Sequence, residues 1–197
     1  MSKFKMMSHS IREKIVKKAY ECGESSHLGG ALSMVDVLCV LYQSFLRYDV
    51  SDHQAQDRDI FILSKGHCVL GWYATLNQFD LMTDSVFDTF QTNGSDLIAH
   101  PVKNLALGIE SSNGSLGQGL SFGLGMALGM KKRSEDRRVY VLMGDGECNE
   151  GSVWEAAATA SEIGLSNLTA IVDVNNLRND GPNLTYQKNS SLPAIWS

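Results

Sequence analysis

The sequence predicts an α/β fold, a doubly wound parallel sheet with helices on both faces. Short apolar runs of strand length, at 60–63, 139–143 and 168–174, alternate with longer stretches whose apolar residues recur at helical spacing. The last two runs flank an alanine-rich helical stretch, 149–164, and form a βαβ unit whose right-handed crossover makes its strands parallel. With 197 residues, 43% of them apolar, the chain is long enough for one domain with a substantial core.

The elements follow in chain order. Ile11, Ile15, Val16 and Ala19 mark a first helix, which the polar, glycine-containing stretch 23–30 ends, leaving His27 in a loop. Ser33 followed by Asp36 resembles a capping box, and Val35, Leu38, Cys39 and Tyr42 continue it as an apolar face, so a second helix is expected to start at Ser33. The run 60–63 reads as a buried strand, and Gly66 leads into a helix through Trp72 and Leu76, which puts His67 at a strand-to-helix turn. Asn93, Gly94, Pro101 and Gly108 interrupt the next stretch, which predicts a short helix over 84–90 and then a long ordered loop holding His100. Over 116–130, Ser121, Gly125 and Gly129 lay a smooth stripe along one helix face. An interior glycine costs about 1 kcal/mol relative to alanine, so this helix is expected to pack closely against another surface. The predicted strands are few beside the about five or six of an average sheet. The chain is therefore expected to be one domain, 1–197, incomplete at its C-terminal end and marginally stable alone.

A formal charge of −5 weighs against a broad nucleic-acid surface, and the basic group Lys131, Lys132, Arg133, Arg137 and Arg138 reads as a solvated helix end. No run approaches the ~20 apolar residues that span a bilayer, which gives a cytoplasmic expectation with no membrane partner. Cys22, Cys39, Cys68 and Cys148 show no C-x-x-C pairing, so free thiols are expected rather than a zinc site.

The chemistry concentrates at two strand ends. Gly144, Asp145 and Gly146 close one strand of the βαβ unit, and Asn175 and Asn176 close the next, so both motifs open at the same carboxyl edge. Adjacent strands lie about 4.8 Å apart. Two oxygens held at about 2.1 Å by one magnesium ion are separated by at most about 4 Å, within reach of Asp145 and Asn175 after small adjustments. The glycines let phosphate oxygens approach the backbone, and the following helix points its N-terminus to the same edge. Taken singly, each motif is a strand-ending turn or a polar loop; together they favour a magnesium–diphosphate site. The third glycine of a dinucleotide fingerprint is replaced by Asn149, and no Walker-type lysine follows a glycine-rich loop.

The segment from Gly144 to Asn176 resembles the thiamine-diphosphate fingerprint, GDG followed by an asparagine pair. The order HLGGALS, SKGHCVLGWYATL, AHP, GSLGQGLSFGLGMA, GDGECNEG and VDVNNLRNDG resembles the N-terminal part of transketolase, most of all the smaller subunit of transketolases split into two chains. The resemblance implies a thiamine-diphosphate-binding fold of the PP type. It implies that Asp145, Asn175 and the Leu177 carbonyl hold magnesium against the cofactor diphosphate, with His67 touching the diphosphate. Gly144, Gly146 and Glu147 would lie near the phosphates, Gly114, Ser115 and Leu116 beside the aminopyrimidine, and Glu150 at a subunit contact. His27 and His100 would face the substrate channel and act on sugar hydroxyls. Leu28, Ala99 and Asn113 stand where the family commonly has proline, glycine and a small hydroxyl residue, which bears on substrate preference.

The glutamate that engages the aminopyrimidine comes, in this family, from another domain. The resemblance thus implies a partner chain carrying the pyrimidine-binding domain, in an assembly of two copies of each. The implied reaction is transfer of a two-carbon ketol unit between sugar phosphates or related sugars. Alternatives are another thiamine-diphosphate component, of the deoxyxylulose-phosphate synthase or 2-oxo acid decarboxylating kind, and a truncated paralogue without turnover.

Overall fold

The computed structural model describes residues 3–24, 26–178, 180–183 and 191–196. Helix α1, Lys3–Cys22, buries Ile11 and Ile15. Two short helices, α2 (Leu28–Ser33) and α3 (Val35–Val40), run on through a helical Met34 into a π-turn at Leu41–Phe45. The helix therefore begins at Leu28 with His27 in the N-cap position, ahead of the expected start at Ser33. Its apolar stripe, with Ala31, Met34, Val35 and Leu38 buried, already starts before Ser33, and burial of that stripe outweighs a local capping signal.

Strand β1 (Ile60–Leu63) leads through a 3-10 turn at Gly66–Cys68 into α4 (Val69–Gln78). Leu28–Phe45 is apolar and long enough to cross a membrane by length and composition. Here one face of it, the stripe of Ala31, Met34, Val35 and Leu38, packs against α1 and α4. Helix α5 (Asp84–Phe87) is capped by the Thr83 hydroxyl and stops short of Phe90. After the loop comes α6 (Gln118–Lys132), then β2 (Val139–Gly144), α7 (Gly151–Glu162) and β3 (Leu168–Asp173). A small hairpin of β4 (Leu177–Arg178) and β5 (Gly181–Pro182) follows, and α8 covers Leu192–Trp196.

The three long strands form a parallel sheet in the order β1-β2-β3. Alternation along the strands separates two cores. Phe61, Leu63, Tyr140 and Leu142 join the helices of the N-terminal half around Trp72 and Tyr73. Ile60, Ile62, Val139, Val141 and Met143 join Leu120, Val153 and Ala156 of α6 and α7. Helices thus cover both faces, the predicted doubly wound arrangement. Residues of β3 are less covered than those of β1 and β2.

Within the chain, α6 makes its close approach through a different pair of glycines from the Gly125 and Gly129 stripe. A Cβ on Gly119 would overlap the Ser64 side chain, and one on Gly123 would lie 2.5 Å from Val141 Cγ2, whereas Gly125 has nothing within 4 Å. The face pressed onto the sheet is therefore that of Gly119 and Gly123, and the Ser121–Gly125 stripe looks outward. Gly125→Ala is expected to stabilise the chain by about 1 kcal/mol through helix propensity. Gly123→Ala is expected to destabilise it by about 1–3 kcal/mol through overpacking. Urea-unfolding midpoints of the two variants measure both.

Candidate functional site

Parallel pairing brings the ends of β1, β2 and β3 to one edge. Gly144 of β2 pairs with Asp173 of β3, so the residues that follow each leave the sheet side by side. Asp145 N donates to the Asp173 carbonyl at 3.1 Å, which continues the ladder one step beyond the strands. The Asp145 side chain is buried. Its Oδ2 accepts from Asn176 N and from Asn183 Nδ2, both at 3.1 Å, which ties the β2 loop to the loop after β3. Asn176 takes a left-handed conformation, φ 60°, which turns the chain between Asn175 and the β4–β5 hairpin. Asn175 Oδ1 accepts from Leu177 N at 2.9 Å, and a Cβ on Gly146 would come within 3.6 Å of the Leu177 carbonyl oxygen. Asp145, Asn175 and Leu177 are thereby gathered in two touching loops.

These oxygens suit a hard cation. One carboxylate, one amide oxygen and one main-chain carbonyl leave a magnesium ion short of negative charge and of ligands, and phosphate oxygens complete such a set. Among the described residues no group of three His, Cys, Asp or Glu side chains could hold a metal. Glycine at 146 makes room for the Arg178 stem: a Cβ there would sit 3.0 Å from Arg178 Cγ.

Three histidines line the neighbouring ground. His27, exposed at the N-cap of α2, and His67, part-buried in the turn after β1, stand edge to face with ring centroids 5.2 Å apart. His100 lies in the long loop, where a Cβ on Gly114 would be 3.7 Å from its Cδ2. Gly114, Ser115 and Leu116 are exposed beside it. A Cβ on Gly66 would overlap the Asn113 carbonyl oxygen, so only glycine lets the turn bearing His67 slide beneath this loop. Burial, with the neighbouring charges of His27, Lys65 and His100, pushes the His67 imidazole down to about 4. It is neutral at pH 7 and carries one N–H to donate.

Glu147 follows the Gly144–Gly146 turn, and its side chain is buried. Its carboxylate is turned inward, accepting from the Ser64 hydroxyl, from Gly117 N at 2.8 Å and from Gly144 N at 3.2 Å. Three converging donors under the loop draw it in, and burial raises its pKa against their pull. Its side chain braces the ends of β1 and β2 to the start of α6, and the part of Glu147 left for a ligand is its main chain. Glu150 is exposed beside Gly117, whose φ of 82° starts α6.

Two residues at this edge escape a reading of the sequence. Lys65 is buried directly after β1, with Nζ 2.5 Å from Asp173 Oδ2 and 3.2 Å from the Gly30 carbonyl. Asp173 also accepts from the Ser33 hydroxyl. The signal available was a lysine just past one apolar strand and an aspartate ending another, at the edge where a withdrawn charge needs a partner.

A doubly wound sheet whose carboxyl edge joins a glycine-flanked aspartate to an asparagine loop defines a domain of the diphosphate-cofactor class. Residues 5–191 match the family described as "Transketolase, thiamine diphosphate binding domain", and the chain belongs to that family. It is 38% identical over 192 residues to one subunit of the apulose-4-phosphate transketolase of Phocaeicola vulgatus, covering 98% of this chain and 68% of that protein. The corresponding apulose-4-phosphate transketolase subunit from Actinobacillus succinogenes is 41% identical over 169 residues, covering 86% and 61%. Among solved structures, a transketolase from Leishmania mexicana superposes with a TM-score of 0.87 at 28% identity, over 96% of this chain and 30% of that one. The chain thus spans about two thirds of its subunit-sized relatives.

In the unfolded chain His67 takes up a proton near its ordinary pH 6.5; in the fold it holds off until about 4. Protonation then favours the unfolded state between these values. The contribution of His67 to stability is complete above pH 6.5 and is expected to fall as pH drops from 6.5 to about 4. Histidine-resolved NMR titration checks this, and an imidazole titrating near 6.5 would contradict the buried, neutral ring.

Proposed function

We propose that this chain is the diphosphate-binding subunit of a two-chain transketolase that depends on thiamine diphosphate and magnesium and acts in the cytoplasm. The observation that carries the reading is the convergence of Asp145, Asn175, the Leu177 carbonyl and His67 at one sheet edge, in a chain of the transketolase family. Two relatives that are each described as a single subunit of a transketolase support the two-chain form.

In this reading Asp145, Asn175 and the Leu177 carbonyl hold magnesium, and neutral His67 donates to a diphosphate oxygen. Main-chain N–H groups of Gly146 and Glu147 meet the same anion, and Gly114, Ser115 and Leu116 flank the aminopyrimidine. The bound cofactor supplies a carbanion that cleaves and forms carbon–carbon bonds. His27 and His100 stand where they can orient the hydroxyls of a ketose donor and move a proton at the oxygen next to the cleaved bond. The partner subunit brings the pyrimidine-binding domain and its glutamate, in a heterotetramer, and the transferred group is a two-carbon ketol unit passed between sugar phosphates or related sugars.

In the assembled complex, Asp145→Ala is expected to abolish magnesium-dependent cofactor binding in calorimetric titration, a loss beyond the roughly hundredfold caused by changing a neighbour of a metal ligand. Retained tight binding would sink the metal assignment. His100→Ala is expected to lower kcat by about 10²–10⁴ with cofactor affinity kept, as loss of a proton-transfer group does. Steady-state kinetics beside the same titration separates the two effects.

A further inference from the structure

Lys65 and Asp173 are given no role in holding the cofactor, yet they form a deeply set ion pair at this edge. Their side chains are only 3% and 11% exposed. Lys65 lies just past β1 and Asp173 ends β3, with β2 between them, so the bridge reaches across two strand spacings, about 10 Å in all. On the way it passes the end of the middle strand at Gly144, where a Cβ would lie in ordinary contact, 3.8 Å from Lys65 Cδ. At its far end the ammonium meets Asp173 Oδ2 and the Gly30 carbonyl, and Asp173 accepts in addition from Ser33.

Each partner is joined to a different part of the site. Lys65 directly precedes the turn that carries His67. Asp173 precedes Asn175 by one intervening residue, and its carbonyl takes the Asp145 N–H. Gly30 and Ser33 lie on α2, which His27 begins. A buried ion pair is a poor source of net stability, because desolvating two charges cancels most of their attraction; an apolar pair would serve a core equally well. What the charges supply here is a fixed direction and length.

We propose that Lys65 is a positioning residue. Its ammonium, carried over Gly144 to Asp173, fixes the turn of His67 and the loops of Asp145 and Asn175 in the one relative placement that receives a magnesium–diphosphate group. This rests on the cofactor reading given above, and it assigns Lys65 no contact with the cofactor.

The test is a double-mutant cycle, Lys65→Met, Asp173→Asn and both together, in the complex with the partner subunit. Thiamine diphosphate is titrated in the presence of magnesium, and thermal unfolding of each cofactor-free form is recorded alongside. Each single change is expected to weaken binding by about tenfold to a hundredfold, as loss of an outer-shell support does, and the double change no more than either single one. Asp173→Asn keeps an acceptor for Ser33 and yields a folded protein should Lys65→Met fail to give one; alone it is expected to show the same loss. Lower melting temperatures with unchanged affinity would make the pair merely structural and overturn the proposal. A loss with Lys65→Met much larger than with Asp173→Asn, adding in the double variant, would mean direct contact with the cofactor and overturn it too. Absence of magnesium-dependent binding in the unaltered complex would instead overturn the cofactor reading, and the proposal with it.

Discussion

Everything at the site depends on the pairing of β2 with a parallel neighbour on each side. With Val139 opposite both Ile60 and Leu168, the three strands leave the sheet in step, and the residues after them compete for one small volume. The ladder bond from Asp145 N to the Asp173 carbonyl extends that register into the loops. A one-residue slip would turn each strand over and exchange its two cores, so apolar burial on both faces fixes the register, and the register fixes the site. Packing energy and function are linked through strand alignment.

The edge is unusual for the charge it buries. Asp145, Glu147, Lys65 and Asp173 are all withdrawn from solvent, and each is held by hydrogen bonds: Asp145 by Asn176 and Asn183, Glu147 by Ser64, Gly117 and Gly144, and Lys65 by Asp173 and Gly30. Unpaired, any one of them would cost several kcal/mol in such surroundings. Because the donors come from different loops, satisfying the charges also fixes the loops. A binding edge made of turns thereby acquires the rigidity that a metal–anion site needs, with no helix or strand running through it.

Much of this was legible in the sequence, for physical reasons that differ by element. Ile60–Leu63 and Val139–Gly144 announced themselves because buried parallel strands are continuous apolar runs, and Asp145 and Asn175 followed because strand ends place their next residues. The start of α2 was misread at Ser33 because a cap is a local signal, and the stripe through Ala31 and Met34 overruled it. The inward turn of Glu147 depends on Ser64 and Gly117, far away in sequence, as does the bridge from Lys65 to Asp173 across 108 positions. No periodicity reports such pairs. The glycines of α6 that press onto the sheet, Gly119 and Gly123, could not be told in sequence from Gly125 on its outer face, because only the sheet beneath distinguishes them.

The central claim is that the loops after β2 and β3 form one cation site that a diphosphate completes. Crystals of the assembled complex grown with thiamine diphosphate and with manganese in place of magnesium would test it most directly through the anomalous scattering of the metal. The account predicts a single strong peak bounded by the Asp145 carboxylate, the Asn175 side-chain oxygen and the Leu177 carbonyl, with phosphate oxygens on its open side. A peak elsewhere, or a bound diphosphate whose metal ignores Asp145 and Asn175, would contradict it.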